Sequence, residues 1–125
     1  MSGEQLGARD GKLAPCPNKP NCVSTQSEDE KNKMESFSYS VTEGEALAKL
    51  KSILQNRKRT KIVKEEANYI RAEEKSKLFK FVDDIEFYLD ETSKTVHFRS
   101  ASRMGYSDMG VNKKRMEEIR EAFLS

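Results

Sequence analysis

The sequence predicts an α+β fold: a single antiparallel β-sheet with two helices on one face, in the order β-α-β-β-β-β-α. Three observations predict it. Several short stretches alternate apolar and polar residues, two others repeat apolar residues at helical spacing, and the links between the later strands are short. Such links force antiparallel pairing, since a parallel pair needs a crossover of about a dozen residues. The chain has 125 residues, the size of one ordinary domain.

Residues 1–11, with Gly3, Gly7 and Gly11 and little apolar area beyond Leu6, read as a flexible tail. Residues 12–125 read as one domain, with 12–36 irregular and 37–125 the α+β core. The first of these is rich in Pro, Asn, Ser and Glu, and Ser27 to Lys31 reads as a solvated loop. Phe37 to Val41 alternates with period two, a half-buried strand. Thr42 followed by Glu45 is a capping box that opens a helix through about Asn56, with Leu47, Leu50, Ile53 and Leu54 on one face. Lys61 to Lys64 and Tyr69 to Ala72 are two short strands around the turn Glu66-Ala67-Asn68. A long strand follows from Leu78 to about Asp90, then, after a turn, a strand from Thr95 to Ala101. The last helix starts at about Asn112, the natural N-cap, and places Met116, Ile119 and Phe123 on one face.

Twenty-three Lys and Arg against twenty-one Asp and Glu give a net charge of +2. That near-balance argues against a dedicated nucleic-acid binder. No stretch approaches the roughly 18 apolar residues of a membrane span. The polar start MSGEQLGARDGK has no apolar signal region, so the expected location is the cytoplasm. The basic run Arg57 to Lys64 holds five cations and no acid. Without interleaved aromatics it reads as a solvated, cation-rich helix end.

The long strand breaks its own alternation. Phe79, Phe81, Ile85, Phe87 and Leu89 share one face, and Asp83 falls in the same register, among phenylalanines. A buried carboxylate is costly without a partner, so either a bulge at Asp83-Asp84 resets the register or Asp83 meets a cation. A hairpin turning near residue 92 sets Asp83 and Asp84 opposite residues 100–101, which nominates Arg99 and Arg103. Asp83 and Asp84 could form a catalytic acid–base pair only across such a bulge, because neighbouring strand residues face opposite ways.

Arg99 to Arg115 ends a strand, crosses a loop with two glycines and enters a helix N-terminus. Arginine forks, hydroxyls and free backbone N–H groups there resemble an anion cradle. Its candidate binding residues are Arg99, Ser100, Ser102, Arg103, Ser107, Asp108, Asn112 and Arg115, with Asp83 and Asp84 orienting the arginines. The competing reading has Ser107, Asp108 and Asn112 capping the helix while the arginines satisfy Asp83 and Asp84. The spacing is neither a P-loop nor a hydrolase elbow, and His97 is the lone histidine.

Cys16 and Cys22 flank five residues, two of them proline. In a cytoplasmic setting they read first as reduced structural thiols; a disulfide, a metal site and a catalytic pair are the alternatives. No metal site is assigned, because too few further ligands are available, and no cofactor is called for.

The segments Leu13-Ala14-Pro15-Cys16-Pro17 with Pro20-Asn21-Cys22-Val23-Ser24, then Phe81-Val82-Asp83-Asp84, then Arg99 through Gly105-Tyr106-Ser107-Asp108 to Asn112 and Arg115, resemble the DUF1499 family of bacterial, cyanobacterial and plastid proteins. The resemblance spans about residues 13–124. It implies no established activity, and many relatives carry export or lipid-attachment sequences that are not evident here. It links the cysteine loop, the acidic pair and the Arg/Ser loop into one constellation, expected at one end of the sheet with Cys16 or Cys22 near Arg99 or Arg103. The expected function is a small non-enzymatic binding or accessory domain with a polar pocket for an anionic group, a small ligand or a protein partner. One alternative is a hydrolase or transferase using Asp83 or Asp84 with Arg103, or thiol redox through Cys16/Cys22. The other is an interaction protein whose signature residues only stabilise the fold.

Overall fold

The computed structural model of the protein describes residues 6–76, 81–105 and 108–125. Its elements run β1 (Cys22–Ser24), β2 (Phe37–Ser38), α1 (Glu43–Gln55), β3 (Thr60–Glu66), β4 (Tyr69–Lys75), β5 (Val82–Asp90), β6 (Thr95–Ser102) and α2 (Val111–Leu124). The α+β class and the order of the helices are as the sequence predicts. The sheet is antiparallel in the order β1-β6-β5-β4-β3, and β2 pairs with the half of β6 that β1 leaves open.

Strand β1 is the element the sequence reading missed. Three residues are too few to show a period, and their pairing with β6 is what makes them a strand. The strand expected over Phe37 to Val41 shortens to two residues, although Phe37 and Tyr39 are buried as the alternation requires. Leu78 and Phe79, placed at the start of the long strand, lie outside the described residues.

Thr42 and Glu45 close the predicted capping box, and α1 buries Ala46, Leu50 and Leu54. Helix α2 buries Met116, Ile119 and Phe123. Both stripes join one core with Ile70, Ala72, Ile85, Phe87, Leu89, Val96 and Phe98. Through the register, that core lies on the face of the sheet carrying the odd-numbered residues of β5 and the even-numbered residues of β4 and β6.

The opposite face is polar in sequence yet covered. Residues 6–16 lie over it as a strap, although residues up to 11 read as a tail. Gly7 N–H donates to Glu86 Oε2 at 2.7 Å, Gln26 holds both Leu13 N–H and Gly11 C=O, and Arg99 reaches Pro15 C=O at 3.2 Å. The sheet is therefore shielded on both faces at its centre, by helices on one side and an irregular strap on the other.

Candidate functional site

Two polar clusters sit at the end of the sheet where β5 begins and β6 ends, one on each face. On the helix face, Arg115 leaves the first turns of α2 and enters the sheet. Nε donates to Glu74 Oε2 at 2.9 Å, and Nη2 to Asp83 Oδ2 at 2.6 Å. Nη1 donates to Ser100 Oγ at 3.0 Å and to Asn112 Oδ1 at 2.6 Å. Every nitrogen of the guanidinium is thus engaged, with the residue only 5% exposed. Glu74 also takes Arg57 Nε and Thr60 Oγ1, both at 2.9 Å, and Arg57 reaches on to Glu118 at 3.2 Å. Burial alone would push the Glu74 carboxyl up, but the hydrogen bonds and charges of Arg57 and Arg115 outweigh it and hold the group below its ordinary range.

Asn112 ties this cluster to the loop ahead of the helix. Its amide donates to Asp108 Oδ2 at 2.6 Å and Ser102 Oγ at 3.0 Å, while Ser100 Oγ donates to Asn112 Oδ1 at 2.6 Å. The expected N-cap role of Asn112 is corrected: Gly110 occupies that position, in the left-handed region at φ 81° with no side chain to cap. Asp108 does the capping work, accepting Gly110 N–H and Asn112 N–H. Ser107 lies outside the described residues.

On the strap face, Arg103 grips Asp84 through two bonds of 2.8 and 2.9 Å and Glu73 at 2.7 Å. The Asp84 bond comes first among the causes that hold its guanidinium protonated far above ordinary arginine. Deeper in, Glu86 and Arg99 are both fully buried, with Arg99 Nη1 3.7 Å from Glu86 Oε1. Tyr69 O–H donates to Glu86 Oε2 at 2.6 Å, and burial together with that carboxylate raises the phenol pKa strongly. Cys16 and Cys22 are joined in a disulfide beside this pair, Cα atoms 5.7 Å apart. The expectation of reduced thiols is corrected accordingly. Pairing of Cys22 with Ala101 and the bond from Arg99 to Pro15 bring the two segments together.

The cysteine loop, the acidic pair and the Arg/Ser segment therefore do meet at one end of the sheet, and Cys22, paired with Ala101, lies two positions from Arg99 along the β1–β6 ladder. Arg103 meets Asp84 as nominated, whereas Asp83 and Arg99 find other partners. The register sets Asp83 opposite Ser102 and Asp84 opposite Ala101, so the partners are Arg115 for Asp83, Arg103 for Asp84 and Arg99 for Glu86. Pairing through Asp83-Asp84 is continuous with both neighbours, so no bulge brings the two carboxylates together; they occupy opposite faces. Arg57, read as solvated, is a member of the buried cluster. Of the three candidate forks, only Arg103 is substantially open, with 44% of its side chain exposed.

Glu74, Glu86, Tyr69 and Arg57 were missed. For the strand residues Glu74, Glu86 and Tyr69 the signal was the register itself, since Glu86 faces Arg99 directly once the hairpin is placed one residue further along. Among the described residues no cluster of His, Cys, Asp and Glu is arranged to hold a metal, and no helix is long and apolar enough to cross a membrane. Compared with known families, residues 12–123 match DUF1499, described as a protein of unknown function. No curated protein matches the chain.

Proposed function

As the chain belongs to the DUF1499 family, we propose that it is a small non-enzymatic accessory or binding domain whose signature residues brace one end of the sheet. One observation carries this reading. Arg99, Arg103 and Arg115 each face a carboxylate of the chain itself, and two of the three are sealed from solvent. The anion that such a cradle would recruit is already supplied internally. Separation of Asp83 from Asp84 by the thickness of the sheet weighs against a shared acid–base mechanism. The Cys16–Cys22 bond supports an oxidising compartment over the cytoplasm, because thiols are kept reduced in the latter.

Equilibrium unfolding of Asp83→Asn, Arg115→Gln and the double variant tests the brace. Each single change should cost about 3–5 kcal/mol, because it strands a buried charge. The double change should cost well below the sum, as expected for directly coupled partners. Wild-type stability in Arg115→Gln would overturn the reading and return Arg115 to the list of ligand-binding groups.

A further inference from the structure

A second basic site lies on the strap face, away from the signature residues. Strand β3 carries an irregularity between Ile62 and Lys64. Up to Ile62 its pairing with β4 follows one register; beyond it, Lys64 rather than Val63 stands opposite Arg71. The extra residue thus sets two cations face to face across an antiparallel pair, an arrangement that repels unless an anion lies between them. Bulges are found where a strand must re-aim a side chain.

Among the described residues none supplies that anion. Glu86 is the cross-strand neighbour of Arg71 on β5, but its Oε2 is taken by Tyr69 and Gly7, and its Oε1, 3.7 Å from Arg99 Nη1, makes no hydrogen bond to Arg71. Among the described residues Lys64 pairs with Glu66 at 3.7 Å, and both side chains of that pair are half exposed. Arg71 has no ion pair among the described residues, and its Nε is buried without a hydrogen-bond partner. A buried guanidinium N–H left without an acceptor is costly. Leu6, Lys64, Tyr69 and Arg71 line one cleft of about 260 Å³.

We propose that this cleft binds a small oxyanion, the carboxylate or phosphoryl head of a small molecule. Arg71 presents the fork, Lys64 adds the second positive charge and Leu6 supplies an apolar wall. A planar guanidinium suits two oxygens of one carboxylate or phosphate. The cleft is too small for a nucleotide and is matched to a compact acid. This site is independent of the brace proposed above, so either can fail without the other.

The test is an NMR titration of the whole ¹⁵N-labelled chain with acetate, succinate and inorganic phosphate, reading the Arg71 Nε–H and the amides of 64 and 71, with sodium chloride as the ionic-strength control. The expected result is a saturable shift of Arg71 Nε–H with at least one of the three anions and none of comparable size with chloride. Which anion saturates at the lowest concentration separates a carboxylate from a phosphoryl ligand. Arg71→Gln should abolish saturation, and Lys64→Gln should weaken it by about tenfold. Arg103→Gln should leave it unchanged. The proposal is overturned if no anion gives a saturable shift of Arg71 Nε–H, if chloride matches the best of them, or if saturation persists in a folded Arg71→Gln. Should that variant not fold, the wild-type titration decides alone.

Discussion

At Glu74 three donors meet one carboxylate: Arg57, Thr60 and Arg115. Its depressed pKa makes it a source of acid sensitivity. Stability from this group is complete above its unfolded pKa near 4.5 and is lost as the pH falls below that value through the lower folded pKa. His97 acts in a higher window. Its Nδ1 shares a 2.9 Å hydrogen bond with Thr25 Oγ1, and its ring stacks on Tyr88. Burial lowers its pKa below 6.5, with Asp90 opposing and Lys12 adding to the effect. The unfolded chain therefore takes up this proton first, and stability declines as the pH drops through about 6.5. Urea unfolding from pH 8 to 3 should show both declines, and His97→Gln should remove the upper one alone. Arg103 offers a contrast with Arg115. Its side chain is 44% exposed but that of its partner Asp84 only 8%, so Arg103→Gln should cost more than the roughly 1 kcal/mol of an exposed pair and less than Arg115→Gln in the same assay.

At the level of elements, the strap and the disulfide decide how the second face of the sheet is covered. Residues 6–16 bring few apolar side chains to that face; Leu13 is the main buried one. They hold instead through single hydrogen bonds and through the Cys16–Cys22 link. Replacing both cysteines with alanine removes a short closed loop, worth about 2 kcal/mol on chain-entropy grounds. The expected outcome is that loss, measured by urea unfolding, with faster amide exchange at Leu13 and Gly7 while the amides of α1 remain protected. An unchanged exchange rate at Gly7 would mean that the hydrogen bonds of Glu86, Gln26 and Arg99 secure the strap without the disulfide. The helices and the β3–β6 meander were legible in the sequence because their side-chain periods are long enough to read. The strap was not, because it has no period and its partner, the even-numbered face of β5, looks like an ordinary solvent face. Lys64 was legible only as part of a basic run; its position opposite Arg71 depends on one inserted residue.

Across the whole molecule, the near-zero net charge conceals an ordered arrangement. Residues 83–91 hold five acids and no base, and 99–115 hold five bases and one acid. The fold sets these segments side by side, then threads Arg115 through one face of the sheet and Arg99 and Arg103 through the other. The sequence showed that these charges belong together. A one-residue error in the hairpin register was enough to give Asp83 the wrong partner, since each single step turns a side chain to the other face. What the charges do follows from burial, which the sequence does not display. The most direct test of the brace is hydrogen exchange at the arginine Nε–H groups of the intact protein. Arg115 Nε–H should exchange far more slowly than Arg103 Nε–H and should keep its chemical shift when acetate or phosphate is added. Exchange of Arg115 as fast as Arg103, with a saturable shift on adding either anion, would contradict the account and make this end of the sheet an open binding site.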